Sequence, residues 1–158
     1  MQVERMVSGG QTGVDRGALD AAIALGIPHG GWCPLGRIAE DGTIPAKYEL
    51  QETLSPDYPI RTEQNVIDSD GTLILYRGRL IGGTELTRRL CIKHRRPVIT
   101  VDLSAAKSKD FRRVRRWLHG HEIRVLNTAG PRESSSPGIA EQAMRFLCRL
   151  LADPDDAT

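Results

Sequence analysis

The stretch Val7-Ser8-Gly9-Gly10-Gln11-Thr12-Gly13-Val14-Asp15-Arg16 decides how this chain folds. Before it, Val3 to Val7 is a short apolar stub of the kind that becomes a buried strand. After it, Val14, Ala18, Ala21, Ala22 and Leu25 recur at helical spacing, and Gly26 supplies a stop signal. Thr12 is expected as the helix N-cap, with Asp15 three residues on in the manner of a capping box. Strand, glycine turn and helix together open a βαβ unit. The first N–H groups of such a helix have no partner within it, so an anion suits the turn.

The spacing also excludes ligands. Gln11 stands where a dinucleotide-binding turn has its second glycine, and the next strand ends at Trp32-Cys33-Pro34 with no acid to hold a ribose. No NAD or flavin is therefore expected. No Gly-Lys-Ser/Thr follows the turn either, so the Walker pattern is absent.

Outward from this stretch, strands and helices alternate. Ile27 to Cys33 reads as a second strand, and Pro34 to Tyr58 as a long polar loop, functional or packed as an Ω-loop. Arg61 to Ser69 reads as a short helix with Val66 and Ile67 inward, and Thr72 to Tyr76 as the clearest buried strand. Ile81-Gly82-Gly83-Thr84 then repeats the opening grammar, with Thr84 as hydroxyl N-cap of a helix from about Glu85 to His94. Val98 to Val101 is the next strand, Ser108 to Leu118 a helix and Ile123 to Leu126 the last strand. A third glycine turn follows, Asn127 to Ser134, and Pro137 is expected at N1 of the final helix.

Five strands alternating with helices imply an α/β fold with a mainly parallel sheet of five or more strands, covered on both faces. Ligands of such sheets sit beyond the carboxyl ends of strands, where all three glycine turns fall.

Composition bounds the rest. With 39% hydrophobic and 27% charged residues in 158, a single globular domain over residues 1–152 is expected, followed by an acidic tail, 153–158. No signal segment or membrane-length apolar run is present, so the cytoplasm is the expected compartment and no membrane partner is expected. Three cysteines without a Cys-x-x-Cys pair support neither a disulfide framework nor a structural zinc, and no other metal site is expected. Cys91 and Cys148 fall on apolar helix faces, whereas Cys33, at a strand end, is the thiol that could face a pocket.

Arg16, Arg37, Arg77 and Arg132 each lie in or beside a strand-end loop, and a guanidinium is the usual bidentate partner of a tetrahedral oxyanion. Asp15 either caps its helix or meets a ligand. Glu133 and the pair Glu40-Asp41 are the acid/base candidates, with nothing to fix their spacing. The basic run Lys107, Lys109, Arg112, Arg113, Arg115 and Arg116 is expected to be a solvated helix face. Aromatics are 4% of the chain and net charge is +2, so nucleic acid is disfavoured as a partner. His119 and His121, without a third ligand nearby, read as helix-end histidines.

With these residues laid out, the chain resembles the molybdenum-cofactor carrier proteins. The likeness is carried by SGGQTGVDRGALDAAI (8–23), HGGWCPLGRIAEDGTIP (29–45), RTEQNVIDSD (61–70), GGTELT (82–87), LNTAGPRES (126–134) and PGI (137–139). It implies a Rossmann-like three-layer fold, within a superfamily that includes lysine-decarboxylase-like phosphoribohydrolases and DNA-processing proteins. It also implies a homo-oligomer, a dimer or tetramer, with a pocket for molybdate or the pterin-phosphate molybdenum cofactor. By that resemblance Gly9, Gly10, Gln11, Thr12 and Gly13, then Gly82, Gly83 and Thr84, then Asn127, Gly130 and Arg132 are pocket residues. Asp15, Arg16, Arg37 and Arg77 join them from the residue-level reading. One departure bears on activity: aligned on Gly83-Thr84, the phosphoribohydrolase glutamate falls at Thr87, and Glu85 is offset by two positions. Binding of an anionic or phosphate-bearing ligand without catalysis is the expectation, with a phosphoribohydrolase-like enzyme as the alternative.

Overall fold

The computed structural model describes residues 3–152, and the acidic tail expected at 153–158 lies outside them. Five strands form one parallel sheet: β1 (Arg5–Val7), β2 (His29–Gly30), β7 (Gly71–Tyr76), β8 (Val98–Asp102) and β9 (Val125–Ala129), in the order β2-β1-β9-β7-β8. Helices α1 (Val14–Leu25), α4 (Ser108–Gly120) and α5 (Ile139–Leu151) cover one face. There Val14, Ala18 and Ala22 of α1 meet Phe111 and Val114 of α4, and Ala143 and Leu147 of α5, over Met6, Leu73, Leu75 and Leu126. Helices α2 (Tyr58–Ile67) and α3 (Gly82–Lys93) cover the other face through Val66, Leu90 and Cys91. The fold is thus the expected three-layer, Rossmann-like α/β architecture.

The strand order carries more information than the alternation alone. Numbered along the chain, the five sheet strands run 2-1-5-3-4. If β9 is counted first instead of last, the order becomes 3-2-1-4-5, that of the doubly wound dinucleotide-binding sheet. The topological switch point then lies between β9 and β7, and a ligand cleft belongs beyond their carboxyl ends.

Several local expectations differ from the structure. Residues 27–33 split into β2 and β3 (Trp32–Cys33), and β3 leaves the main sheet to pair with β6 (Gln51–Glu52). The long loop also contains a small hairpin, β4 (Ile38–Ala39) with β5 (Gly42–Thr43), and packs on α1 through Ile44 and Tyr48. Strand β9 runs through Asn127, Thr128 and Ala129, so its turn begins only at Gly130. Pro137 is not at N1: Gly138, with positive φ, is the N-cap of α5 and Ile139 begins it.

Candidate functional site

Most amides of the first turn fold back on the protein. Thr12 is not the N-cap of α1; Gly13 is, and no side chain caps it. The Asp15 carboxylate instead accepts the Gln11 N–H at 3.2 Å, the Ser8 hydroxyl accepts the Gly10 N–H, and the Gln11 side-chain oxygen accepts the Thr12 N–H. The Val14 N–H goes to the Pro131 carbonyl across the sheet end. This close approach needs Gly13: its φ of 80° favours glycine, and a side chain there would collide with the Pro131 carbonyl. The Thr12 hydroxyl adds a second tie, donating to Glu40 and accepting from the Glu133 N–H.

All three glycine turns nonetheless line one cleft of about 860 Å³, beyond β1, β9 and β7. Gly9, Gln11 and Asp15 line it from the first turn, Gly82, Gly83 and Thr84 from the second, and Asn127, Gly130 and Arg132 from the third. Thr84 is not an N-cap: α3 begins two residues earlier, at Gly82, after Ile81. Because Ile81 offers no capping side chain, the N–H groups of Gly82 and Gly83 donate to no described residue, and they stand at the cleft. Those of Gly130 and Arg132 likewise make no backbone hydrogen bond. Gly130 allows β9 and β7 to close on each other, since a methyl there would meet the Leu75 carbonyl.

The four arginines expected at the site fare differently. Arg132 lines the cleft with its guanidinium 4.9 Å above the Tyr58 ring. Arg77 lines it too, donating to Gln142 and the Pro137 carbonyl. Arg16 turns away to a bidentate pair with Asp41 and donates to the Gly10 carbonyl. Arg37 stands in its own loop, where its guanidinium donates to the carbonyls of Ile44, Pro45, Tyr48 and Leu50. Thus Arg16 and Arg37, like Gly10, Thr12 and Gly13, shape the walls and do not line the cleft. Cys33 does not face it either; the thiol is buried among Leu19, Ile44 and Tyr48, and burial pushes its pKa up.

A further cation escaped the sequence. Arg61, on α2, is buried under the first turn, where Nη1 donates to the Gly9 carbonyl at 2.6 Å and sits 4.0 Å from the Asp15 carboxylate. In the sequence it is one charge on a short amphipathic helix, with no glycine or strand end beside it to mark it. Tyr58 comes from the same helix, and Asn65 clamps the Trp32 backbone through both its amide atoms. Asp15 is the only carboxylate among the described residues lining the cleft, against Arg61, Arg77, Arg79 and Arg132. Burial raises its pKa to about 6, partly offset by the pull of Arg61 and by the Gln11 N–H. The Gln11 side chain is also incomplete: its Nε2 is buried and donates to no described residue.

The acid/base candidates are otherwise engaged. Glu40 accepts from Thr12 and Ser134, Asp41 from Arg16, and Glu133 from the N–H groups of Gly138 and Ala140 at the start of α5. On α4, Arg113 donates to the Thr100 carbonyl and Arg115 to the carbonyls of Arg149 and Leu150, so two of its four arginines tie elements together. Among the described residues no group of three His, Cys, Asp or Glu is placed to hold a metal, and no helix is long and apolar enough to cross a membrane.

Permuted strand order and a cleft at the β9–β7 switch point define a Rossmann-like protein whose chain has been circularly permuted. Residues 6–151 match the family described as "Circularly permutated YpsA SLOG family", and the chain belongs to that family. It is also similar to the solved structure named "Putative molybdenum carrier protein" from Syntrophus aciditrophicus SB. Identity is 44%, 96% of each chain is covered, and the TM-score is 0.91. No curated protein matches the chain.

Proposed function

We propose that this protein binds and carries a phosphate-bearing or oxyanion ligand, either molybdate or the molybdenum cofactor, at the switch-point cleft. One observation carries the proposal: the uncapped N-terminus of α3 opens into a cleft that also holds the Arg61 and Arg132 side chains and the Gly130 turn. Unpaired helix N–H groups and guanidinium groups are complementary to a tetrahedral anion. A cleft of about 860 Å³ lies in the roughly 300–1,000 Å³ range of pockets for whole organic ligands. An oxyanion fills only part of it. The pterin-phosphate form of the ligand uses it better, with phosphate at Gly82 and Gly83 and a flat ring toward Tyr58. The name of the Syntrophus protein supports the molybdenum-related choice of cargo.

The phosphoribohydrolase-like alternative has less support. Thr87 is buried and its hydroxyl donates to the Gly83 carbonyl, while Glu85 pairs with Arg88 and Arg89 on α3. Isothermal titration with molybdate, AMP and the isolated cofactor tests the proposal. Heat of binding is expected for at least one of them, and Arg132→Ala should weaken it by about 1.5–3 kcal/mol, the worth of a charged hydrogen bond. No heat with any of the three would overturn it, and release of a free base from AMP would favour the enzyme.

A further inference from the structure

The walls of the cleft bring one acid against four cations, and that acid is poorly served. Asp15 is 7% exposed and lines the cleft from the first turn of α1. Oδ2 accepts the Gln11 N–H, whereas Oδ1 accepts nothing from any described residue. Arg61 of α2 approaches only to 4.0 Å and spends its short hydrogen bond on the Gly9 carbonyl. Arg16, on the same helix, is committed to Asp41, and Arg132 from the third turn acts on Asp15 only through space. No guanidinium therefore holds the carboxylate in a hydrogen bond.

Asp15 lines the same cleft as Gly82, Gly83 and Arg132, and an anion that reaches its wall of the cleft meets an acceptor oxygen. Two desolvated oxygens with no proton between them repel; with one proton they share a charge-assisted O–H···O⁻ bond. Resting on the reading that the cleft holds a tetrahedral anion, we propose that Asp15 makes binding proton-linked: each anion is held together with one proton, carried by the ligand or by Asp15. Hydrogen phosphate brings its own. Sulfate and molybdate, fully deprotonated near neutrality, bind only when Asp15 has taken one up. Burial favours that uptake, since the folded protein holds the Asp15 proton up to about pH 6. Asp15 is thus a specificity-determining residue that ranks oxyanions of equal charge and shape by whether they can donate.

Titration calorimetry on the full chain with sodium phosphate and sodium sulfate is the test. At about pH 8 phosphate should bind at least about tenfold tighter than sulfate, and sulfate should tighten about tenfold or more on going to about pH 5.5. Asp15→Asn, which supplies a permanent donor, should bind sulfate at the higher pH about as well as the parent does at the lower, with no pH slope. Sulfate binding in two buffers of different ionisation enthalpy, near pH 7, should show uptake of about one proton by the parent, independently of how the variant folds. Equal affinity for the two anions at about pH 8, sulfate binding without pH dependence, or an unchanged slope in Asp15→Asn would each overturn the proton link. Binding without pH dependence would leave the carrier reading standing; a parent that binds neither anion at either pH would overturn the proton link, and the carrier reading falls only if molybdate, AMP and the cofactor also give no heat.

Discussion

Arg61 and Asp15 form an unequal pair, and each makes its own prediction. Replacing Arg61 by Met keeps the bulk but strips the Gly9 carbonyl of its donor and Asp15 of its nearest cation. Breaking a buried charge pair from one side costs about 3–5 kcal/mol, so chemical denaturation of Arg61→Met should show a loss near that size. Asp15 works in the opposite direction. Its pKa is raised from 3.8 to about 6 in the folded state. Between those values the folded chain keeps a proton that the unfolded chain has released, so stability falls as pH rises through this window and the penalty is complete above it. About two pKa units correspond to about 3 kcal/mol at most. Asp15→Asn should therefore be more stable than the parent at about pH 7.5, by about 1–3 kcal/mol, and no more stable at about pH 4. Equal urea midpoints at the higher pH would refute this. Such residues are hard to see in a sequence. Asp15 was visible, but its pairing was not, because Arg61 lies 46 positions away on a helix with no local sign of a ligand.

At the level of elements, the glycine turns were legible because backbone geometry demands glycine there. Their division of labour was not. The first turn uses the amides of Gly10, Gln11, Thr12 and Val14 internally and props the third against it, whereas the second leaves Gly82 and Gly83 open. Caps were misplaced for the same reason: Thr12 and Thr84 have the right chemistry, yet tertiary contacts recruit Thr12 for Glu40 and bury Thr84 inside the first turn of α3. A contrast between two glycines tests this. Gly83 has helical backbone with open space around its α-carbon. Gly83→Ala should gain about 0.5–1 kcal/mol from helix propensity while crowding the cleft and weakening anion binding. Gly13→Ala meets the Pro131 carbonyl at positive φ and should lose more than about 2 kcal/mol. Thermal melts of the two variants should move in opposite directions.

For the whole molecule, the alternation of strands and helices was enough to foresee a parallel sheet covered on both faces, but not the order of its strands. Pairing of β1 with β9 joins residues more than a hundred positions apart, and nothing local encodes it. That pairing is also what makes the chain a permuted version of the 3-2-1-4-5 sheet. Helix α5 runs back from the carboxyl end of the sheet, so it finishes near the strands' amino ends, where Arg115 of α4 binds the Leu150 carbonyl. β1 starts at that same edge, with the Glu4 N–H on the Arg124 carbonyl. A flexible linker of about ten residues, with a span of roughly 16–19 Å on average, is used to join these two ends. The chain can be opened between His121 and Glu122, an exposed turn outside every strand, where two backbone bonds span the cut, from the Glu122 N–H to the His119 carbonyl and from the Ile123 N–H to the Leu118 carbonyl. The resulting permutant begins with β9 and α5, followed by β1 and α1, in the unpermuted order. It should unfold cooperatively and bind the same anion with an affinity close to the parent's, since the cleft depends on which strand ends meet and not on where the chain starts. If the permutant folds but has lost anion binding, the β9–α5 turn needs its present covalent context, and the switch-point account of the cleft fails.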